Sequence, residues 1–419
     1  MEPKIISVFE HEKLCVGEKG FSAANFNALT KFNDTHGGRY FRVGFNNVTF
    51  GAYVGVIQVG THTIEVLPKA DAKRDDLVSR NKWQKALLAM LCKAGFAKLN
   101  QTNKALQNST SRHLLDVYLF SFLSEVQSIV QMGFIKKYRQ ISTNSKVFKG
   151  RLLIGQHLQN NLIHKERFFT QHSVYDANHT LNSVIKKAVR IVILVTNNQF
   201  LKIEFSKVML HFEHIDVWEG NVSLLDNIAL NRKSKHYAES LDLAVLLIKN
   251  FSPDFSAGRE NILSILFNMN ALFERFVIKS LREVAWEFAA YSLQVFGKRE
   301  KLLWKHKKII PDIVVTFEKE GIKHMLIIDA KWKNIGQDDP SDEDLRQVYT
   351  YNLQFGSTKA LLLYPMTNQK NLGPGVFQPL AHELIHEHSC ELHFVDIFEK
   401  DIVSSRFAVS LFKRQIGIS

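Results

Sequence analysis

Two stretches, Ile309–Phe317 (IIPDIVVTF) and Met325–Trp332 (MLIIDAKW), decide how this chain is read. Each is an apolar run of strand length, and each carries charge where a buried strand tolerates it least. Pro311 stands near the start of the first, where a missing N–H is tolerable, and Asp312 follows it. Asp329 and Lys331 close the second. A strand reading IIDAK is expected to be covered on both faces, and an unpaired buried carboxylate is costly. Two aspartates drawn together also raise each other's proton affinity. A divalent cation removes both penalties, and hard carboxylate oxygens suit Mg²⁺. Such an ion would hold a phosphate and acidify a bound water. Residues two apart share one face of a strand, which places Lys331 beside the metal, ready to orient or deprotonate the water.

The flanking segments extend this frame. Upstream, Ile262, Ile265, Met269, Leu272, Phe273 and Phe276 are spaced as the apolar face of one helix, with Glu274 at its edge. A basic run, Lys298–Lys308 (KREKLLWKHKK), leads into the first strand, and reads either as a solvated face or as a contact to a nucleic-acid backbone. Downstream, Ser341 caps a helix whose first turn holds Asp342, Glu343 and Asp344, where the dipole favours negative charge. Gln347 and Tyr351 lie four apart on one side of it, positioned to face the strand ends. Lys359–Tyr364 (KALLLY) supplies a further core strand.

The rest of the chain divides into three expected segments: 1–80 is β-rich, 81–252 helical with a basic hairpin, and 253–419 holds the two strands above. In the first, Tyr40–Val48 and Tyr53–Leu67 alternate apolar and polar residues, which predicts a small antiparallel sheet or barrel. In the second, helical stripes begin at about Lys82 and Leu114, and Leu99–Arg112 reads as a polar loop. Gly133–Arg151 reads as a hairpin turning at Ser142–Ser145, with Lys136, Lys137, Arg139, Lys146, Lys149 and Arg151 along it. Asp176–Val195 and Tyr237–Phe251 read as helices, Ser206–Ile228 carries another short one, and Ser252–Arg259 marks the boundary to the third segment.

Composition narrows the function classes. The 419 residues include 54 Lys and Arg against 41 Asp and Glu, a net charge of +13, for which a polyanionic partner is the natural explanation. Three isolated cysteines give neither a disulfide framework nor a zinc ribbon, and with no signal-peptide pattern at the start the expected location is cytoplasmic. No run approaches the ~20 apolar residues of a membrane helix, so no membrane role is expected. His382–His386 (HELIH) matches a zinc-peptidase pattern but sits in a segment too short for the required helix and lacks a metzincin-type extension. There is no GxxxxGK[ST] motif, so the chain is not expected to hydrolyse a nucleotide itself.

A PD in one strand and a DxK in the next, with Glu274 on a preceding helix and a QxxxY pair on the following one, resembles the PD-(D/E)XK nuclease superfamily. More specifically, IQVGTHTIEVLPKA (57–70), FKGRLLIGQHL (148–158), YDANHTLNSVIKKAV (175–189) and NMNALFERFV (268–277) resemble the McrC nuclease subunits of McrBC-type restriction systems, across roughly residues 45–365. The resemblance implies an α+β multidomain chain: a β-rich and helical assembly region followed by a restriction-endonuclease-like α/β domain. It also implies Mg²⁺-dependent DNA cleavage. Asp312 and Asp329 would be metal ligands, Lys331 would be catalytic, and Glu274, Gln347 and Tyr351 would attend the site. The implied partner besides DNA is a McrB-like AAA+ hexamer that binds and hydrolyses GTP, and this chain stimulates it. The 133–151 region becomes a candidate contact to that motor. A non-cleaving regulator that only binds DNA is the alternative, against which the intact Asp312, Asp329 and Lys331 stand.

Overall fold

The computed structural model describes residues 4–69, 77–96, 114–252, 261–335, 340–366, 375–377, 388–399 and 402–418. It is a mixed α+β chain that divides into two compact units: Met1–Ile57, His62–Lys104 and Leu266–Ser419 form one, Gln58–Thr61 and Ala105–Ile265 the other. Most of residues 1–104 and all of Leu266–Ser419 fall in the first unit. The expected 99–112 loop, HELIH and nearly all of the 252–259 boundary fall outside the described residues.

The chain begins with β1 (Lys4–Phe9), β2 (Lys13–Cys15), α1 (Ala23–Thr35), β3 (Phe41–Gly44), β4 (Asn47–Phe50), β5 (Tyr53–Val59), β6 (His62–Leu67) and α2 (Leu77–Ala94). Instead of one small antiparallel sheet or barrel, these strands serve two sheets. The antiparallel set is β2–β4–β3, whereas β1 pairs in parallel with β6. Helix α1, which the sequence reading lacked, starts at Ser22, whose hydroxyl accepts the N–H of Asn25.

The second unit carries α3 (Leu114–Met132), β7 (Lys137–Ser145), β8 (Arg151–Leu152), α4 (Ile154–Asn161), β9 (Phe168–Asp176), α5 (Thr180–Val195), α6 (Gln199–Leu210), α7 (Ala238–Lys249) and β10 (Phe251–Ser252). Residues 133–151 are not a hairpin. Ser142–Ser145 continue strand β7, which pairs along its whole length with β9, and β8 flanks β9 on the other side. The Asn144 side chain exchanges two 2.9 Å amide hydrogen bonds with Asn161 and so supports an extended strand instead of a turn. Gly150 makes the close approach possible: at φ 73°, an added Cβ would lie 2.3 Å from the Gln171 carbonyl oxygen. Asp176 ends β9, and α5 starts four residues later, capped by His179. Within the expected 206–228 helix there is only the end of α6 and a 3₁₀ turn at Val222–Asn227.

Strand β11 (Ile262–Asn268) begins in the second unit, and the first unit resumes within it at Leu266. The elements that follow are α8 (Met269–Val284), β12 (Gln294–Gly297), β13 (Lys301–Trp304), β14 (Lys307–Ile309), β15 (Ile313–Lys319), β16 (Ile322–Ala330) and α9 (Asp342–Phe355). After these come β17 (Lys359–Pro365), β18 (Gly375–Val376), β19 (Ser389–Val395), β20 (Phe398–Glu399), β21 (Ile402–Val403) and α10 (Arg406–Ile416). The single helix expected from Ile262 is a strand followed by a helix. Its break is Asn268, whose side chain accepts the N–H of Ala271.

Six described strands form the sheet that matters most, in the order β12–β15–β16–β17–β19–β18. β15 and β16 run antiparallel, whereas β16, β17 and β19 run parallel, so their C-terminal ends share one edge. Helix α9 crosses from β16 to the parallel β17, stopped by Gly356 at φ 69°. Its Val348 and Tyr351 pack with Ile309, Val314, Ile327 and Leu362 in one apolar cluster.

Candidate active site

The site lies where β15 begins and β16 ends. β16 is buried continuously from Leu326 to Ala330, as an IIDA strand covered on both faces must be. Asp312 precedes β15 instead of lying inside it, and its Oδ2 accepts the N–H of Ala330 at 3.1 Å. Lys331 falls just beyond β16, yet its N–H donates to the Leu363 carbonyl at 2.9 Å and continues the ladder. Its side chain stays on the Asp329 side, with Nζ 2.8 Å from Asp329 Oδ2.

These charges are perturbed in a consistent direction. Burial pushes the Asp312 carboxyl well above the usual carboxylate range, and the charges of Asp329 and Glu274 add to the rise. Asp329, 1% exposed, is also raised, by burial foremost, although Lys331 opposes the effect. For Lys331, burial disfavours the ammonium, but Asp329, Asp344 and Asp312 outweigh it and hold its pKa above the ordinary value. One buried and one half-buried acid, both with raised proton affinity, beside one ammonium form a pocket short of positive charge.

Gln347 and Tyr351 complete the surroundings of Lys331. Its Nζ donates to Gln347 Oε1 (3.0 Å), Gln347 Nε2 donates to the Tyr351 hydroxyl (2.6 Å), and that hydroxyl donates to the Ile310 carbonyl (3.1 Å). Burial pushes the Tyr351 hydroxyl up to about 12, so it remains a donor throughout the neutral range. Glu274, on α8, is near enough to act on Asp312 electrostatically, and its one described ion pair is to Lys298, at 3.5 Å.

Two further residues that the motifs do not include, Asp344 and Trp332, belong here. Asp344, the third acid of the α9 first turn, is only 6% exposed. It pairs with Lys333, lies 3.8 Å from Lys331 and accepts the Tyr364 hydroxyl at 3.4 Å. Its spacing to Gln347 and Tyr351 (i, i+3, i+7) was the available signal. Trp332 donates its indole N–H to Glu10 on the N-terminal side of the same unit, 2.6 Å away, a link across 322 residues with no local signature. Among the described residues no three His, Cys, Asp or Glu side chains group closely enough to hold a metal alone. Two carboxylates nevertheless suit Mg²⁺, which keeps several waters and takes one or two protein carboxylates plus phosphate oxygens. Asp329 Oδ2 fits this: it is buried beside the Lys331 ammonium, 2.8 Å away, with a second carboxylate, Asp312, as its neighbour.

The fold and this cluster define an α+β protein with two acids of raised proton affinity, Asp312 and Asp329, at a parallel strand edge. Residues 48–365 match the model of a family described as "McrBC 5-methylcytosine restriction system component", which is most of the chain. The chain belongs to that family. A solved structure from Thermococcus gammatolerans, the half-complex of a tetradecameric assembly of McrB AAA+ hexamers with bound McrC, contains a chain with TM-score 0.64 and 20% identity. The match covers 98% of the present chain and 100% of that one, and at this identity it shows a shared fold. A second structure, of the McrBC complex from the same organism, matches at TM-score 0.49 and 20% identity over 66% of this chain and 87% of the other. No curated protein matches the sequence.

Proposed function

We propose that this chain is the Mg²⁺-dependent DNA endonuclease subunit of a McrBC-like restriction system, with an active site of the PD-(D/E)XK type. The observation that carries this reading is buried Asp329 and half-buried Asp312, both with raised proton affinity, with Lys331 Nζ 2.8 Å from Asp329 at the edge where β16 ends. Asp312 and Asp329 would hold the metal, which when bound supplies Lewis-acid polarisation of the phosphate and an acidified water. Lys331 holds a positive charge against the developing charge on the phosphate, and the Gln347–Tyr351–Ile310 relay fixes where that charge sits. Lys333, neutralised by Asp344, leaves Lys331 as the ammonium that directly touches Asp329. Glu274 adds negative charge at the rim and makes the site receptive to a cation.

Family membership supports a partner as well. The Thermococcus gammatolerans assembly has McrC bound to McrB AAA+ hexamers, and by that likeness this chain acts with a McrB-like hexamer that binds and hydrolyses GTP. In the second unit, the basic strand β7 and the exposed Val147, Phe148, Ile154, Leu158, Leu162 and Ile163 are the surface proposed to meet it.

Mg²⁺ titration followed by thermal unfolding tests the metal assignment without reference to turnover. The wild-type melting temperature is expected to rise with Mg²⁺, and the Asp312→Asn/Asp329→Asn double variant is expected not to respond. An equal Mg²⁺ response in both proteins would remove these residues from the metal site.

A further inference from the structure

The strands β13 and β14 form a two-stranded hairpin by themselves, outside the six-stranded sheet. Its apolar side chains are turned outward: Leu302 is 65% exposed, Trp304 62% and Leu303 46%. The pairing slips between Leu302 and Trp304, and at the turn Lys305 holds a left-handed φ of 50°, a conformation a lysine adopts only at a cost. A bare two-stranded ribbon with three exposed large apolar residues is a poor structure in water and calls for a binding partner.

Charge identifies that partner. Residues 298–308 hold six Lys or Arg and a single Glu, Glu300, which is already paired with Lys308 at 2.9 Å. Two copies of such a ribbon would repel each other, whereas a polyphosphate chain would neutralise it. Lys305 lies 4.7 Å from the centre of the Trp304 ring, so cation and aromatic project together. Phosphate-binding cations beside an apolar wedge suit the minor groove of duplex DNA, where wedges of this kind enter between base steps.

The base of the hairpin is fixed relative to the active site. Ile309 is buried in the apolar cluster under α9, and Lys301 Nζ donates to the Gln354 carbonyl at 2.8 Å. The next residue, Ile310, offers the carbonyl that accepts the Tyr351 hydroxyl, and Asp312 follows two residues later. We propose that the β13–β14 hairpin is a duplex-DNA-gripping arm: Lys305 and Lys307 take backbone phosphates, and Trp304 with Leu302 and Leu303 wedges into the groove beside the bond to be cut. The role of the arm rests on the nuclease reading, whereas its binding to DNA does not.

The test measures binding of a short labelled duplex to the full-length chain in EDTA, where no cleavage occurs, from about 50 to 200 mM salt. Lys305→Ala/Lys307→Ala is expected to flatten the slope of log affinity against log salt by about 1.8. Trp304→Ala is expected to weaken binding about tenfold with the slope unchanged. Wild-type affinity and slope in both variants would overturn the proposal, and so would tighter binding to the single strand than to the duplex. Sedimentation showing that Trp304→Ala dissociates a dimer of this chain, with DNA affinity intact, would assign the arm to self-association and overturn it as well. If both variants lose binding while the wild type fails to cleave DNA in Mg²⁺ even with the McrB-like partner and GTP, the arm stands and the nuclease reading falls.

Discussion

Replacing Glu10 by Gln should make stability less sensitive to pH, by an amount the structure sets. Glu10 is 6% exposed, and its Oε1 accepts the Trp332 indole N–H at 2.6 Å and the Lys69 N–H at 2.8 Å. Among the described residues, Oε2 has no hydrogen-bond partner. Burial pushes the carboxyl from 4.5 up to about 7, with the two donors pulling the other way. Between these values the folded protein keeps a proton that the unfolded chain has released, so the unfolded state binds fewer protons and stability falls as pH rises. The loss begins near 4.5, is complete above about 7, and amounts to about 3 kcal/mol. A glutamine carbonyl accepts the same two donors and never ionises. Urea unfolding followed by tryptophan fluorescence should therefore find Glu10→Gln more stable than wild type by up to about 3 kcal/mol at pH 8 and equal to it at pH 4. A difference that is the same at both pH values, or a variant less stable at pH 8, would refute the reasoning.

Other perturbations have equally definite outcomes. Tyr351→Phe removes the hydroxyl joining Gln347 to Ile310, and should cost about 1 kcal/mol in stability while lowering kcat about tenfold or more with little change in KM, read by single-turnover cleavage. Asn182→Ala strips a fully buried amide that donates to Ile135 O and Ala177 O and accepts the Tyr237 hydroxyl; denaturant titration of the second unit should show a loss of about 2–4 kcal/mol. Charge reversal at Arg139 and Lys149 should lower the partner's stimulated GTPase while the nuclease fold, read as an unchanged thermal-unfolding response to Mg²⁺, is unharmed, and an unchanged stimulation curve would leave residues 133–151 as plain surface. Arg139 is tied to Asp176 at 2.9 Å, so Lys149→Glu alone separates loss of charge from loss of that bond.

What the sequence disclosed follows from which interactions are local. Asp329 and Lys331 are two residues apart, so strand geometry alone sets them side by side, and the antiparallel β15–β16 pairing carries Asp312 to the same place. Gln347 and Tyr351 are four apart on a capped helix and meet directly. Asp344 was hidden among three adjacent acids: its spacing to Gln347 and Tyr351 sets it apart from Asp342, but its packing against Tyr364 and Lys333 is long-range and leaves no local mark. The Glu10–Trp332 bond was invisible, since nothing in either segment records a partner 322 residues away. Strand β11 was mistaken for helix because a strand buried on both faces leaves no two-residue alternation to read, and Ile262, Ile265 and Met269 then match a helical period. Ser142–Ser145 carry turn-forming side chains, yet pairing with β9 overrides that local preference.

The central claim is that Asp312, Asp329 and Lys331 cut DNA. The direct measurement is plasmid cleavage in Mg²⁺ by wild type and Asp329→Ala, each with and without the co-expressed McrB-like partner and GTP. The account predicts cleavage by wild type with partner and GTP, and none by Asp329→Ala although GTPase stimulation persists. Cleavage by purified Asp329→Ala, or GTPase stimulation by a wild type that cleaves no DNA substrate, modified cytosine included, would contradict it.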